Sequence, residues 1–289
     1  MAKNGPYIAD TKAQSSQEES TANFLDVIIA RMIRSSLTAD ARPVAEKTYS
    51  LEAYLLGSIE YDACLALQNR LVYEASGRDD GQISLLVCEH PPLITVGRRG
   101  SWGHIGLTQR ELASRQLTVR WVNHGGSCMY HAPGQLAIYP IVPLQWHGWT
   151  VGDYLERLLR GLAAAIEELG FAPQPREGRD DLGYYGVWGR SGQLAAVGVA
   201  VKSWVTYHGA FLNVAPAMDL FRALTTDPAG GTPMSSLAAE RQKNVKMPHV
   251  REAVVRHLVA ALGASRHHVY SKHPLLGQVD SKRSPAASP

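Results

Sequence analysis

Hydrophobic residues recur at helical spacing in several segments of this chain. The clearest segment covers residues 151–169, where apolar side chains three or four positions apart form one stripe and Gly170 supplies a stop. Residues 61–74 and 250–262 show the same spacing. A shorter helix is predicted over residues 107–114, because Thr108 and Glu111 have the spacing of a capping box. The pattern therefore predicts helices distributed along the central part of the chain.

Extended segments lie between these helices. Each is a short apolar run bounded by glycine, proline or polar residues, which is typical of strands. We predict strands over residues 83–87, 118–122 and 136–142, and a β-meander over residues 186–188, 194–201 and 204–207. Strands that come in pairs between helices favour an α/β (α+β) fold, with helices packed on a mixed sheet, over a repeating βαβ array.

The two ends of the chain have a different character. Residues 1–48 are interpreted as a disordered or weakly structured extension, with one short helix predicted over residues 24–35. Residues 271–289 end in Ser-Pro-Ala-Ala-Ser-Pro and are predicted to form a disordered tail. The folded domain is therefore expected to cover residues 49–270.

Composition and charge exclude several functional classes. With 45% hydrophobic and 19% charged residues among 289, the chain has the composition of an ordinary globular protein. A formal charge of +3 is mild and does not indicate a nucleic-acid binder, which usually shows a clustered basic stripe. No apolar run reaches the roughly 20 residues of a membrane span. The cysteines Cys64, Cys88 and Cys128 lack metal-type or redox-type spacing, so a cytoplasmic location is expected.

Three polar clusters interrupt the hydrophobic pattern. They read EHPPLITVGRRG over residues 89–100, NHGGSCMYHAPGQLAIYP over residues 123–140 and GQLAAVGVAVKSWVTYHGAFLNV over residues 192–214. Their glycines and prolines either turn the backbone sharply or bring it close to a ligand. The pair Gly125 and Gly126 can present N–H groups to a carbonyl or phosphate-like group. Taken alone, each cluster is explained equally well as a tight connection between two secondary-structure elements.

Taken together, the clusters resemble the octanoyltransferase family, also called lipoate-protein ligase B. That family carries His-Pro-Pro, Gly-Arg-Arg-Gly, Arg-Gly-Gly-x-x-Thr-Tyr-His-Gly-Pro-Gly-Gln, Lys-[Ile/Val]-Ala-Ala-Ile-Gly-Val, a His-Gly-x-x-Leu-Asn block and Pro-Cys-Gly. The matches here lie at residues 90–92, 97–100, 125–126, 130–131, 133–135, 195–198, 208–209 and 212–213. The resemblance covers about residues 50–262 and implies the fold shared by biotin and lipoate ligases.

The resemblance also implies a reaction and its partners. An octanoyl group would pass from octanoyl-acyl carrier protein to an enzyme cysteine, and then to a lysine in the lipoyl domains of lipoate-dependent enzymes. A neighbouring lysine would favour the thiolate through its positive charge. No metal, nucleotide or other cofactor is implied, and neither nucleic acid nor membrane is an expected partner.

This sequence departs from the family at both reactive positions. The family's lysine falls on Gln193 and its cysteine on Ala229. In the second cluster, the family's Arg, Thr and Gly fall on His124, Met129 and Ala132. A methyl group cannot attack a thioester and a neutral amide cannot stabilise a thiolate. The resemblance therefore implies a transferase that is inactive or strongly impaired.

The resemblance assigns substrate binding to side chains and backbone of the second and third clusters. These residues are His124, Gly125, Gly126, Ser127, Cys128, Met129, Tyr130, His131, Ala196, Val197, Gly198, His208, Gly209, Ala210 and Phe211. His131 and His208 either line the acyl pocket or form hydrogen bonds that complete a turn, and the sequence leaves both roles open. Arg98 and Arg99 either meet the acidic carrier or its phosphopantetheine phosphate, or form a solvated turn.

Two residues are candidates to replace the missing groups. Cys128 is the best substitute nucleophile by position, but on a strand it would face away from His131, three residues later. A small buried core cysteine is the commoner case. Lys202 could replace the missing ammonium, although strand alternation points it away from Gln193 and towards solvent.

Several functional hypotheses follow from these residues. The first is an impaired octanoyltransferase-family protein. The second is an active transferase that uses Cys128 or transfers the acyl group directly to the acceptor lysine. The third is a non-catalytic module that binds the acyl carrier or the lipoyl domain. An ATP-dependent lipoate ligase fits less well, because the Pro-Gly-Gln motif and the other blocks match the transferase better.

Overall fold

The computed structural model describes residues 48–173, 185–226, 233–241 and 245–276. Its strands are β1 (Ser50–Ser58), β2 (Ile83–Glu89), β3 (Leu93–Val96), β4 (Thr118–Trp121), β5 (Cys128–His131), β6 (Gln135–Ile141), β7 (Tyr185–Trp188), β8 (Gln193–Lys202), β9 (Val205–Asn213) and β10 (Arg266–Tyr270). Its α-helices are α1 (Tyr61–Ser76), α2 (Gln109–Ser114), α3 (Leu144–His147), α4 (Val151–Glu168), α5 (Leu237–Arg241) and α6 (Met247–Leu262). Single 3-10 turns form at Trp102–His104 and Leu220–Ala223.

The strands form two sheets. The larger has seven strands in the order β10-β1-β2-β6-β9-β8-β7, and the smaller has the order β4-β3-β5. In the larger sheet β1 is parallel to both β2 and β10. The pairs β2–β6, β6–β9, β9–β8 and β8–β7 are antiparallel. The predicted mixed sheet flanked by helices is confirmed.

Both faces of the large sheet are buried. On β2, Leu85 and Val87 point to a core shared with α4 and α6, while Leu86 and Cys88 point to a core shared with α1 and the small sheet. Strands covered on two faces read as continuous apolar runs rather than as alternating ones. This explains why 83–87 and 136–142 were recognisable only as short apolar stretches.

Helix α4 has its start fixed by local chemistry. Thr150 accepts a hydrogen bond from the Asp153 N–H at 3.1 Å, and the Asp153 carboxylate accepts one from the Thr150 N–H at 2.8 Å. Its apolar stripe packs Tyr154, Leu158 and Leu162 into the core with α6. Helix α2 has the predicted capping box at Thr108 and Glu111. Among the described residues no helix is long and apolar enough to cross a membrane.

Four strands were not recognised in the sequence. β3 and β5 lie inside the polar clusters, and β1 and β10 form a parallel pair at the edge of the large sheet. The tail boundary predicted at Ser271 falls short of the packed chain, because His273 is buried and its ring lies 4.4 Å from the Tyr54 ring. The helix expected over residues 24–35, the extension up to residue 47 and the tail from residue 277 lie outside the described residues.

Candidate active site

A narrow cavity of about 30 Å³ lies between β5 and the strands β8 and β9. It is lined by His124, Gly125, Gly126, Ser127, Cys128, Met129, Tyr185, Gln193, Ala196, Val197, Gly198, Phe211 and Thr226. The second and third polar clusters therefore come together around one space. Among the described residues, the lining contains no lysine, arginine, aspartate or glutamate.

Most of the predicted binding residues line this cavity, and five do not. The five are Tyr130, His131, His208, Gly209 and Ala210, all of them buried. Sequence reasoning had no signal for Tyr185 and Thr226. Tyr185 reaches the cavity because β7 pairs with β8 opposite Val197, a register that no local pattern reveals.

The His124 ring fits between two glycines. A Cβ placed on Gly97 or on Gly198 would lie 2.9 Å from the His124 Nδ1 atom, so both positions need to be glycine for the ring to fit. Nδ1 donates to the Gly125 carbonyl at 2.7 Å. Burial, with a smaller contribution from the nearby Arg98 charge, lowers the pKa of His124 to about 4. His124 is therefore an uncharged part of the cavity lining at physiological pH.

Behind the cavity, His131 belongs to a satisfied network. Its Nδ1 donates to Gln135 Oε1 at 2.8 Å, and its Nε2 accepts from the Thr95 hydroxyl at 2.9 Å. The Gln135 amide donates in turn to Asn213 Oδ1 at 2.9 Å. Burial holds the pKa of His131 well below its ordinary value. His131 supports Phe211, whose ring lies 4.6 Å away and lines the cavity.

His208 differs from the other two histidines. Its backbone is left-handed, with φ of 56°, and its N–H donates to Gln68 Oε1 at 2.8 Å. Its Nδ1 is buried and has no hydrogen-bond partner among the described residues. Burial lowers the pKa of His208 to about 3, with smaller contributions from His124 and Arg98. A strained backbone and an unpaired ring nitrogen are both unfavourable, so the surrounding residues must hold His208 in this conformation.

Gln193 begins β8 and is part of the cavity wall. Its side chain is buried, and the amide donates to the Ala195 carbonyl at 3.2 Å. Its backbone N–H donates to the Pro233 carbonyl at 2.9 Å, and its carbonyl accepts from the Ser235 N–H at 2.8 Å. The position that the family resemblance assigns to a lysine thus holds an uncharged, hydrogen-bonded amide.

Ala229 lies outside the described residues, as do its neighbours over residues 227–232. The two flanking residues are described. Thr226 lines the cavity, and the Pro233 carbonyl accepts the hydrogen bond from Gln193. The chain therefore leaves the cavity wall at one end of this segment and returns to Gln193 at the other.

Cys128 lines the cavity but is almost fully buried, with 1% of its surface exposed. Its Sγ contacts the Ser101 carbonyl at 3.8 Å, whereas His131 bonds to Thr95 and Gln135, as expected for residues on opposite faces of β5. Burial raises the pKa of the Cys128 thiol, only partly offset by Ser127 and Ser101. This environment favours the protonated thiol over the nucleophilic thiolate.

The basic residues considered from the sequence lie at the surface. Arg98 is exposed near the glycine pair, and its guanidinium donates to the Asn123 carbonyl. Arg99 is also exposed. Lys202 ends β8 and is exposed, as predicted.

Residues 60–259 match the family model of the lipoyl protein ligase A/B catalytic domain. An octanoyltransferase of Chloroflexus aggregans is 38% identical over 216 residues, which cover 73% of this chain and 94% of that protein. One of Geotalea uraniireducens is 37% identical over 199 residues, covering 69% and 87% of the two chains. The chain belongs to the octanoyltransferase family. Most of the residues that line its cavity come from the motifs that carry the resemblance.

Solved structures agree on the fold of this octanoyltransferase-family chain. A bipartite lipoate protein ligase from Thermoplasma acidophilum, studied together with its E2 lipoyl domain, aligns with a TM-score of 0.61 at 12% identity. The alignment covers 81% of this chain and 91% of that one. A lipoate-protein ligase A bound with ATP aligns with a TM-score of 0.60 at 13% identity, covering 80% and 93%. At this identity the likeness establishes a shared lipoate-ligase fold.

Proposed function

We propose that this chain is an octanoyltransferase-family protein of lipoate metabolism that keeps the acyl pocket but has lost most or all of the standard transfer activity. The observation that carries this proposal is the buried, neutral Gln193 amide in the cavity wall. Family membership supplies the reaction class. The residues at the two reactive positions, Gln193 and Ala229, remove the means of performing it.

The electrostatics of the cavity support this proposal. A thiol with an ordinary pKa of about 8.5 needs a nearby positive charge to ionise at neutral pH. The described lining offers no ammonium, and His124 stays uncharged because burial lowers its pKa to about 4. Even a nucleophile restored at residue 229 would therefore lack the charge that activates it.

The described residues on either side of residues 227–232 support the assignment of Ala229 to the nucleophile position. Thr226 lines the cavity and Pro233 binds Gln193. A short segment anchored at both ends beside one space has a limited reach, at most about 3.6 Å per residue. In the sequence, Ala229 stands near the middle of residues 227–232, between Pro228 and Gly230.

The proposed partners are octanoyl-acyl carrier protein and the lipoyl domains of lipoate-dependent enzymes, met in the cytoplasm. A lipoate ligase studied with its E2 lipoyl domain shares the fold. Exposed Arg98 and Arg99 lie next to the glycine pair that lines the cavity, where they suit an acidic carrier. A chain that binds these partners without turnover would act as a binding module, and the intact, uncharged pocket favours this as the second candidate function.

Transfer assays on the purified chain separate these functions. The chain, free of host octanoyltransferase, is incubated with octanoyl-acyl carrier protein and a lipoyl domain, and all three proteins are followed by intact mass spectrometry. We expect carrier binding, no acyl adduct on the chain and no octanoylated lipoyl domain. Product at an ordinary rate would refute the proposal, and product without an adduct would establish direct transfer.

Cys128 provides a matched test of a relocated nucleophile. Because its thiol is buried and its pKa is raised, we expect Cys128→Ala to leave the mass spectra and any residual transfer rate unchanged. An acyl adduct on the unmodified chain that disappears in Cys128→Ala would instead identify Cys128 as the working nucleophile.

A further inference from the structure

Two of the three cysteines meet a histidine in the core shared by α1 and β2. The Sγ atoms of Cys64 and Cys88 are 3.9 Å apart, and Cys88 Sγ is 3.7 Å from His90 Nε2. All three donor atoms lie within 4.8 Å of one another, and all three residues are at most 2% exposed. Sequence spacing gave no sign of this cluster, because one thiol comes from a helix and the other from a strand.

The histidine in this cluster is already oriented for a metal. Its Nδ1 lies 2.7 Å from the Ile59 carbonyl, which can only accept, so Nδ1 carries the proton. The lone pair therefore sits on Nε2, the nitrogen that faces Cys88. A ring N–H bound to a backbone carbonyl is the usual outer-shell contact that orients a metal-binding histidine.

The separation of the two sulfur atoms matches a tetrahedral site. With metal–sulfur bonds of about 2.3 Å, two thiolates on one tetrahedral ion lie about 3.8 Å apart. The observed 3.9 Å between the two Sγ atoms is close to that separation. A disulfide, by contrast, needs a sulfur–sulfur bond of about 2.05 Å and thus a larger movement.

Two tyrosines lie beside the cluster, and their hydroxyls are candidates for a fourth ligand. The Tyr139 hydroxyl is 2.8 Å from His90 Nε2. The Tyr61 hydroxyl is buried and has no hydrogen-bond partner among the described residues, and its ring centroid lies 5.2 Å from that of His90. A buried hydroxyl without a partner calls for an unseen ion or water.

We propose that Cys64, Cys88 and His90 bind one thiophilic divalent ion, such as Zn²⁺, in tetrahedral geometry. Two metal–sulfur bonds and one metal–nitrogen bond form, the two thiols release their protons to solvent, and the Tyr139 hydroxyl gives up its bond to Nε2. The fourth position is completed by a hydroxyl or a water. Neither electron transfer nor any further reactant is involved.

The ion would pin α1 to the large sheet directly behind the pocket. Cys64 lies in α1, Cys88 in β2 and His90 just after β2. Gln68 links this site to β9, because its amide contacts Cys64 Sγ at 3.8 Å and its Oε1 accepts from the His208 N–H at 2.8 Å. The role is structural and does not depend on whether the chain transfers octanoate.

Cobalt binding to the full chain under reducing conditions tests the proposal. We expect one equivalent of Co²⁺ to produce the charge-transfer band of cobalt–thiolate bonds, and Zn²⁺ to displace it. Cys64→Ala and Cys88→Ala each lose the band and weaken binding by roughly tenfold or more. Cys128→Ala, which removes the one cysteine outside the cluster, keeps both band and affinity.

Three results would overturn the proposal. The first is that the unmodified chain binds no Co²⁺. The second is that Cys88→Ala still binds it, and the third is that Cys128→Ala loses binding as much as the cluster variants do. If the alanine variants do not fold, X-ray absorption of the zinc-loaded unmodified chain decides, with two sulfur neighbours at about 2.3 Å expected. A reduced chain that binds no ion but closes a Cys64–Cys88 disulfide on mild oxidation is a redox pair and also refutes the metal site.

Discussion

At the scale of single residues, Gln193 shows how tightly the position that the resemblance assigns to a lysine is packed. A Cβ added at Gly186 would lie 2.3 Å from the Gln193 Nε2 atom, so the amide packs directly on the neighbouring strand. The amide also has its own acceptor in the Ala195 carbonyl. A lysine placed here would enter a buried, uncharged surrounding that disfavours its ammonium form unless an anion lies beside it.

The double substitution Gln193→Lys with Ala229→Cys supplies that pair. A thiolate at residue 229 and an ammonium at residue 193 stabilise each other, so we expect octanoyl transfer to appear in the double variant. Either single variant should stay at least roughly a hundredfold slower, because residues that act as a unit are strongly non-additive. Transfer to a lipoyl domain is measured by mass spectrometry, with folding checked by circular dichroism. A folded double variant without activity would show that the pocket itself no longer binds the substrate.

Residue identities also set the limit of what the sequence could predict about the pocket. The glycines at 97 and 198 belong to clusters whose glycines were predicted either to turn the backbone or to approach a ligand, and the structure shows that each makes space for His124. The surroundings of His131 and His208 were not predictable. Whether a histidine lines a cavity or bonds behind it depends on strands that are distant in sequence, such as β3 with Thr95 and α1 with Gln68.

At the scale of elements, α4 and α6 form the most extensive helix pair on the large sheet. They pack closely at Gly161, where a Cβ would lie 2.7 Å from Leu258 Cδ2 and 3.1 Å from Ala261 Cβ. Gly152, in the first turn of α4, is exposed, and its nearest neighbour to a new Cβ is the Thr150 hydroxyl at 3.5 Å. One helix therefore contains one glycine required by packing and one that is free to change.

The two glycines predict opposite effects of the same substitution. Gly152→Ala should raise the free energy of unfolding by about 0.5–1 kcal/mol, because alanine restricts the unfolded chain without a clash. Gly161→Ala should lower it by roughly 1–3 kcal/mol through overpacking against α6. Urea denaturation of both variants beside the unmodified chain measures the difference. Equal signs for the two would contradict the packing described here.

Elements differ in how far their sequence predicts them. Helices such as α4 carry a local stripe and a cap, so their existence and starts were predictable to within a few residues. Strand β10 reads Arg-His-His-Val-Tyr, and each of its five residues is exposed, so there is no apolar pattern to detect. It forms because β1 offers an unpaired edge, and such pairing is a property of the assembled sheet rather than of the segment.

At the scale of the whole molecule, buried neutral histidines couple stability to pH. Burial holds the pKa of His124 at about 4 and that of His208 at about 3, whereas an unfolded histidine titrates at about 6.5. Below pH 6.5 the unfolded chain binds protons that the folded chain does not. Acid therefore shifts the equilibrium towards unfolding.

We expect the free energy of unfolding to decrease steadily as the pH falls from about 6.5 towards 4. Each of these two histidines contributes a loss of roughly 2 kcal/mol at pH 5. Denaturation curves across this range measure it, with pH 7 to 8 as the flat reference. In His124→Gln, the slope of the free energy of unfolding against pH should decrease by roughly 1.4 kcal/mol per pH unit, which corresponds to about one bound proton. A slope that stays unchanged would show that His124 is not held neutral in the folded chain.

The outer edge of the large sheet has a consequence for biosynthesis. β1 is made near the start of the domain, but its parallel partner β10 follows α6, so more than two hundred residues separate Ser50 from Arg266. A ribosome adding about 5–20 residues per second needs on the order of ten seconds or more to deliver that partner. During translation the outer edge of β1 is unpaired, and an exposed strand edge is prone to intermolecular association. Chaperone contact during synthesis should therefore concentrate on the β1 segment and end only when β10 leaves the exit tunnel.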